Sequence, residues 1–164
     1  MTSAATPAMT PAEPIHIENV RFAVVDTETT GLSTDEDRVL QIGVVIMRGD
    51  GTVEHEWVTY LRRLTWGFGH VGAFHIHGIT RRQLRRGLPP AVAFEKMNEL
   101  ITDCVFVAHN AKFDVGFLRS DSIRLSAPLK LTGPLCTLLL SRKLDPQRTM
   151  SHKLKDVAAR LGKS

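Results

Sequence analysis

The sequence contains little cysteine and few aromatic residues. Only two cysteines, Cys104 and Cys136, occur among 164 residues, and neither has the paired spacing of a zinc site. We therefore expect no disulfide framework, and we predict that both thiols are free and buried. The chain does not open with a basic segment followed by an apolar one, and it has no apolar run long enough to span a bilayer. These absences predict a cytoplasmic protein that does not contact a membrane.

Acidic residues are missing from a long interval of the chain. No aspartate or glutamate occurs between Glu56 and Glu95. That interval contains six arginines, which are Arg62, Arg63, Arg81, Arg82, Arg85 and Arg86. The bias is reversed between Arg21 and Arg38, where five acidic residues and no basic residue occur. A basic surface beside an acidic pocket suits a polyanion such as nucleic acid, and a solvated arginine-rich helix face is the alternative.

The order of predicted elements indicates one α/β domain. Residues 1–19 form a tail rich in Ala, Thr and Pro that we expect to be disordered, and residues 20–164 form the folded domain. Three strands in an antiparallel meander come first, and strands then alternate with helices, which predicts a mixed central sheet flanked by helices. Residues 67–72 match G-x-G-x-x-G, but no buried strand precedes them, and we interpret them as a loop. Ser151 is predicted to cap a last helix over residues 152–161.

Two acidic side chains follow an apolar segment near the start of the domain. Residues 22–25 predict a buried strand that ends where Asp26 and Glu28 begin a polar stretch. Side chains alternate along a strand, so these two carboxylates point the same way and can share one divalent cation. A polar turn with two solvated acids is the alternative interpretation. Further along, residues 104–118 predict a strand, a polar break and a helix with Asp114 in its first turn.

Three segments together resemble one enzyme family. They are D-T-E-T-T-G-L at residues 26–32, I-H-G-I-T at residues 76–80 and H-N-A-K-F-D at residues 109–114. The chain resembles the DEDD exonucleases of the DEDDh type, the proofreading class that includes the epsilon subunit of bacterial DNA polymerase III. The resemblance implies an RNase H-like fold and a 3′–5′ exonuclease that hydrolyses DNA with two Mg²⁺ or Mn²⁺ ions.

The resemblance also assigns site residues. Asp26, Glu28 and Asp114 would be both the catalytic residues and the metal ligands. The implied substrate-binding residues are Thr27, Thr29, Thr30, Gly31, Leu32, His77, Asn110 and Phe113. The expected partner is the 3′ end of a nucleic acid strand, and a DNA polymerase is left open as a second partner.

The sequence departs from the family in one respect. The family has a third motif, whose His is the general base and whose Asp completes the carboxylate set. Relatives carry it after a helix that resembles residues 153–162, and no such motif is found here. We therefore expect the domain at residues 20–164 to be truncated before its C-terminal motif, with this polypeptide inactive or impaired. Two alternatives remain open, namely an RNA-trimming exoribonuclease and a non-catalytic module that binds nucleic acid or a polymerase.

Overall fold

A computed structural model describes residues 16–62 and 74–162. Arg63, the loop at residues 67–72 and most of the tail predicted at residues 1–19 lie outside the described residues. The end of that tail is described, and Ile17–Asn19 form a short 3₁₀ turn. The strands are β1 Arg21–Thr29, β2 Val39–Arg48, β3 Val53–Tyr60, β4 Val105–Ala108 and β5 Leu135–Cys136. The helices are α1 Phe74–His77, α2 Arg81–Arg86, α3 Pro90–Ile101, α4 Ala111–Arg124, α5 Thr137–Leu144 and α6 Leu154–Arg160.

The five strands form one mixed sheet in the order β3-β2-β1-β4-β5. The first three strands pair antiparallel, as the predicted meander requires, whereas β4 runs parallel to β1 and β5 runs parallel to β4. The prediction that β1 ends before its acidic residues is wrong. The ladder with β2 continues through Asp26, opposite Gly43, and Glu28, opposite Gln41, so both acids lie within the strand.

The main hydrophobic core lies between one face of the sheet and two helices. Ala23 and Val25 of β1 point to this face, where they join Phe94 of α3 and the buried side chains Phe117 and Leu118 of α4. Alternation along β1 therefore sends Asp26 and Glu28 to the opposite face. Burial of the large apolar side chains on one face fixes which face carries the carboxylates.

The opposite face of the sheet is open between β1 and β5. Phe22 and Val24 are only half-buried, and together with Asp26 and His109 they line a hollow of about 630 Å³. In the part of the chain that the structure describes, no helix is long and apolar enough to cross a membrane.

Two further sequence predictions are corrected by the structure. The last helix begins at Leu154 rather than at residue 152, and Lys153 is its N-cap. The Ser151 hydroxyl donates to the Asp156 carboxylate instead of capping the helix. Cys104 and Cys136 are free, as predicted, but both are half-buried rather than buried.

Candidate active site

Asp26 and Glu28 lie side by side on the open face of β1. Asp26 is exposed and Glu28 is half-buried, while Thr27 between them is buried on the core side. The same-face placement predicted from strand alternation is therefore present, although the residues lie inside the strand and not in a turn after it.

Asp114 reaches β1 from the first turn of α4. The parallel pairing of β4 with β1 covers Phe22 to Val24, and α4 begins at Ala111, shortly after β4 ends. Beyond that pairing the edge of β1 is met by the Asp114 carboxylate. The Thr27 amide donates to Asp114 Oδ1 at 3.1 Å, and the Thr27 hydroxyl donates to the same oxygen at 2.8 Å. Asp114 thus takes over hydrogen bonding at a strand edge that β4 leaves unpaired.

The three carboxylates interact electrostatically and burial disfavours their charge. Asp26 keeps contact with solvent, but partial burial of its carboxylate still raises its pKa. Burial likewise raises the pKa of Glu28, the neighbouring Asp26 raises it further, and His77 opposes both effects. Burial raises the pKa of Asp114 to about 6, despite the hydrogen bond from the Thr27 hydroxyl, and Asp26 adds to the increase. A cation close to these acids would therefore stabilise their charged forms.

The donor set suits a hard divalent cation, but the ligands are not gathered into a cluster. Among the described residues, no group of three or more His, Cys, Asp or Glu side chains is arranged to hold a metal ion. One oxygen of Asp114 is occupied by Thr27, and like charges keep apart when no cation lies between them. The chemistry of the donors, which are carboxylate oxygens with raised pKa values and exposure on one side, fits Mg²⁺ or Mn²⁺.

The loop between β1 and β2 is held in shape by the Asp37 carboxylate. Its Oδ1 accepts from the Thr30 hydroxyl at 2.7 Å, and its Oδ2 accepts from the Ser33 amide at 2.9 Å. Burial alone would raise the pKa of Asp37, but these hydrogen bonds and the charge of Arg38 lower it overall. A Cβ at Gly31 would overlap the Asp37 carboxylate, so this arrangement requires glycine there.

The same loop is fastened to the C-terminal end of α4. The Arg124 guanidinium donates to the carbonyl oxygens of Thr34, Asp35 and Asp37. Asp121, which is buried, orients that guanidinium at 2.7 Å and also accepts from an amide at the start of β2 at 2.9 Å. The loop beside the carboxylates is therefore a fixed part of the site.

The predicted substrate-binding residues divide into buried and accessible side chains. Thr27 and Thr29 are both 6% exposed, and the Thr29 hydroxyl donates to the Gly31 carbonyl oxygen at 2.6 Å. The side chains of both threonines are therefore turned into the protein. Substrate binding by the backbone of residues 27–32 stays a prediction. The Thr30 hydroxyl is likewise engaged in the loop.

The remaining predicted contacts face solvent to different extents. Leu32 is 86% exposed in this loop. Asn110 is exposed in the left-handed conformation before α4, at φ 63°. Phe113 is half-buried, with its ring centroid 4.9 Å from that of Phe117. His77 is half-buried, and its Nδ1 accepts from the Ile79 amide at 2.9 Å.

His109 and His152 are both built into the structure rather than aimed at a substrate. His109 Nδ1 lies 3.0 Å from the Thr137 hydroxyl, and its Nε2 donates to the His152 carbonyl oxygen at 3.0 Å. His152 Nδ1 lies 2.9 Å from the Ser141 hydroxyl, and its Nε2 lies 3.5 Å from the Asp145 carboxylate. These contacts join the segment before α6 to the end of β4 and to α5, and they leave both imidazoles engaged within the protein.

Comparison with known proteins agrees with the motifs. The exonuclease family RNase T matches residues 23–164. The chain is 31% identical over 141 residues to the PolC-type DNA polymerase III of Streptococcus pyogenes serotype M1, covering 82% of this chain and 9% of that protein. It is 26% identical over 141 residues to the PolC-type DNA polymerase III of Ureaplasma parvum serovar 3, covering 85% and 9%. The chain thus spans about a tenth of the length of these relatives.

Solved structures show the same fold. Escherichia coli Exonuclease I in complex with a dT13 oligonucleotide superposes with a TM-score of 0.72 at 20% identity, over 89% of this chain and 36% of that one. A product-bound Exonuclease I gives 0.73 at 20% identity, over 88% and 39%. The predicted RNase H-like α/β fold is therefore confirmed. Members of the matching family generally depend on divalent metal ions. By its family match and its motifs, this chain belongs to the DEDD-type 3′–5′ exonuclease family.

Proposed function

We propose that this protein removes nucleotides from the 3′ end of DNA, with Mg²⁺ or Mn²⁺ held by Asp26, Glu28 and Asp114. The observation that carries the proposal is the placement of these three acids around Thr27. Two occupy adjacent same-face positions on β1, and the third is hydrogen-bonded to the residue between them. The DNA polymerase relatives support DNA as the substrate.

The proposed reaction is hydrolysis of the terminal phosphodiester. Water adds to phosphorus, the bond from phosphorus to the 3′ oxygen of the preceding nucleotide breaks, and that oxygen leaves as a 3′-hydroxyl. Divalent cations bound at the three carboxylates would neutralise phosphate charge, activate the water and stabilise the leaving oxygen.

The protein groups around the carboxylates have separate proposed roles. Thr27 holds Asp114 in place through one oxygen and leaves the other for ligation. The loop fixed by Asp37 presents Leu32 to the terminal base, as an apolar surface for stacking. Asn110, Phe113 and His77 remain proposed substrate contacts beside it.

The test is a cleavage assay with a 5′-labelled single-stranded DNA that compares residues 1–164 with a polypeptide extended at its C-terminus by the third motif. We expect the extended polypeptide to give a ladder that shortens from the 3′ end with Mg²⁺ or Mn²⁺ and no cleavage with EDTA, and residues 1–164 to cleave weakly or not at all. Asp26→Asn should abolish cleavage, because it removes a charged ligand. Asp103→Asn is the matched control, since Asp103 is exposed at a turn with φ 60° and asparagine is tolerated there.

Two outcomes would replace the proposal. Cleavage of an RNA of the same sequence but not of the DNA would assign an exoribonuclease, because the 2′-hydroxyl distinguishes the two substrates. Binding without metal-dependent cleavage would assign a non-catalytic nucleic-acid-binding module. A cytoplasmic location and a DNA polymerase partner stay predictions, which the polymerase relatives support.

A further inference from the structure

Helix α2 carries a dense positive charge. Four of its six residues are arginines, in the order Arg-Arg-Gln-Leu-Arg-Arg, and all four are exposed. Within the described ranges, no carboxylate lies within ion-pair distance of Arg82, Arg85 or Arg86. A fifth guanidinium joins them, because Arg62 donates through Nε to the Gly87 carbonyl oxygen at 3.0 Å at the end of the helix.

The stability of the helix itself explains only part of this charge, since Arg85 and Arg86 lie in the last turn, where a positive charge suits the helix dipole. Arg82 lies in the first turn, where a positive charge opposes the helix dipole, and that turn contains no acidic residue. Arg82 and Arg86 are four residues apart, and like charges at this spacing repel each other. The four arginines of α2, here called the arginine row, are stabilised when an anion lies along them.

The helix lies on the side of the sheet that carries the carboxylates. Glu28 pairs with Gln41 of β2, and Gln41 pairs with Tyr60 of β3, so these three side chains share one face. The Gln83 side-chain amide donates to the Tyr60 hydroxyl at 2.8 Å, which places α2 over this part of the sheet. Two strand spacings, or about 10 Å, separate Tyr60 from Glu28.

The arginine row has a fixed base. Thr80 and Gln83 form a capping box at the start of α2, with the Thr80 amide donating to Gln83 Oε1 at 2.8 Å. Leu84 is fully buried against Leu40 and Ile79. The helix is therefore docked on the domain, and its arginines project from a rigid support into solvent.

We propose that α2 binds the phosphodiester backbone of the single-stranded DNA that leads into the carboxylate site. This inference rests on the proposed function, which puts the 3′ end of the strand at the carboxylates. It extends that function to the part of the strand upstream of the cleaved end. The guanidinium groups contact phosphates and not bases, so the site attracts and guides the strand without reading its sequence.

The test measures the affinity for a fluorescent oligothymidylate by anisotropy at several salt concentrations, in EDTA so that no cleavage occurs. Arg82→Gln and Arg86→Gln are compared, singly and together, with Arg119→Gln. Arg119 is an exposed arginine on α4, which packs against the opposite face of the sheet. Its variant therefore loses the same single charge, but far from α2. In each single α2 variant the negative slope of log K against log salt should become shallower by about 0.7, and in the double variant by about 1.4.

Arg119→Gln should leave both the affinity and the slope close to those of the unsubstituted protein. The same reduction should appear with an oligonucleotide of mixed sequence, as expected for phosphate contacts. Unchanged thermal unfolding of the variants, whose substituted side chains are exposed, establishes that loss of binding is not loss of folding.

Three results would overturn the proposal. They are unchanged slopes in the α2 variants, an equal loss in Arg119→Gln, and no binding by the unsubstituted protein at low salt. These results are distinct from failure of the exonuclease proposal. If α2 is not a binding site, metal-dependent cleavage and its loss in Asp26→Asn are unaffected, whereas a non-catalytic protein would still show the changes in salt slope.

Discussion

Thr27 and Asp114 lie 87 positions apart in the chain, yet the Thr27 amide and hydroxyl both donate to one oxygen of the Asp114 carboxylate. A hydrogen bond from a hydroxyl to a carboxylate is stronger than one between neutral groups, and here it fixes the rotamer of the acid. The pair therefore joins β1 to the start of α4 and orients an acid that we propose as a metal ligand.

Thr27→Val should weaken Mn²⁺ binding while preserving the packing around the residue. Valine has the shape of threonine but lacks the hydroxyl, and the loss of one hydrogen bond to a charged group corresponds to about 10-fold in affinity. The measurement is a Mn²⁺ titration followed by electron paramagnetic resonance. Thr27→Ser restores the hydroxyl and should restore binding. Equal affinities of the valine and threonine proteins would show that Asp114 does not need this support.

Asp114→Asn should stabilise the metal-free protein near neutral pH. The folded state holds its proton up to about pH 6, whereas the carboxyl of the unfolded chain titrates near pH 3.8, so stability falls as pH rises between these values. The shift corresponds to a cost of about 3 kcal/mol above pH 6. Asparagine keeps the oxygen that accepts from Thr27 and carries no charge. Thermal unfolding at about pH 8 and about pH 4 should therefore show a gain for the variant only at the higher pH.

Asp121→Asn is the matched control on the same helix, and it should have the opposite effect. Asp121 is also buried, but Arg124 lies 2.7 Å away and a backbone amide of β2 donates to it. Removal of its charge leaves the partly buried guanidinium without a counterion, which costs about 3 kcal/mol when such a pair is broken. Asp121 thus has an ion-pair partner and Asp114 has only hydrogen-bond donors. Stabilisation by both substitutions, or by neither, would contradict this difference.

Addition of Mn²⁺ should raise the unfolding temperature of the unsubstituted protein. A ligand that binds only the folded state adds about 2.7 kcal/mol when its concentration is 100 times its dissociation constant. We expect differential scanning fluorimetry to show this increase at about pH 8, which lies above the pKa of about 6 of Asp114. The increase should disappear in Asp26→Asn and persist in Asp103→Asn. An increase of the same size in all three proteins would place the cation elsewhere.

Arg124→Gln should loosen the loop between β1 and β2. The substitution removes hydrogen bonds to three carbonyl oxygens of the loop, those of Thr34, Asp35 and Asp37. Hydrogen exchange at the amides of residues 33–38 should become faster, because local opening no longer has to break these contacts. Arg119→Gln, one turn earlier on α4, should leave exchange in the loop unchanged. If both variants leave the loop equally protected, the Asp37 carboxylate alone is sufficient to hold it.

The sequence predicted much of the fold because local patterns and tertiary structure agree. The antiparallel meander of the first three strands and the mixed sheet flanked by helices are present as predicted. The end of β1 was mispredicted, because Asp26 and Glu28 disfavour strands locally while pairing with β2 keeps them in one. Ser151 was mispredicted as a cap, because its hydroxyl reaches Asp156 instead.

The candidate site was predictable only in its parts. Alternation along β1 indicated that Asp26 and Glu28 share a face, and the motif resemblance added Asp114. The hydrogen bond from Thr27 to Asp114 could not be predicted, since a contact between residues 87 positions apart has no local signature. The same holds for Arg124, whose bonds to Thr34 and Asp35 span 90 and 89 positions.

The fastening of the β1–β2 loop to the end of α4 has a consequence for protein engineering. A designer who transplants residues 30–38 from a relative, in order to change substrate preference, would bring the loop without the Arg124 and Asp121 side chains that hold it. The smallest exchangeable unit is therefore discontinuous in sequence, and it joins the loop to the last turn of α4. Chimaeras that respect this unit should keep the geometry of the grafted loop, whereas grafts of the loop alone should not.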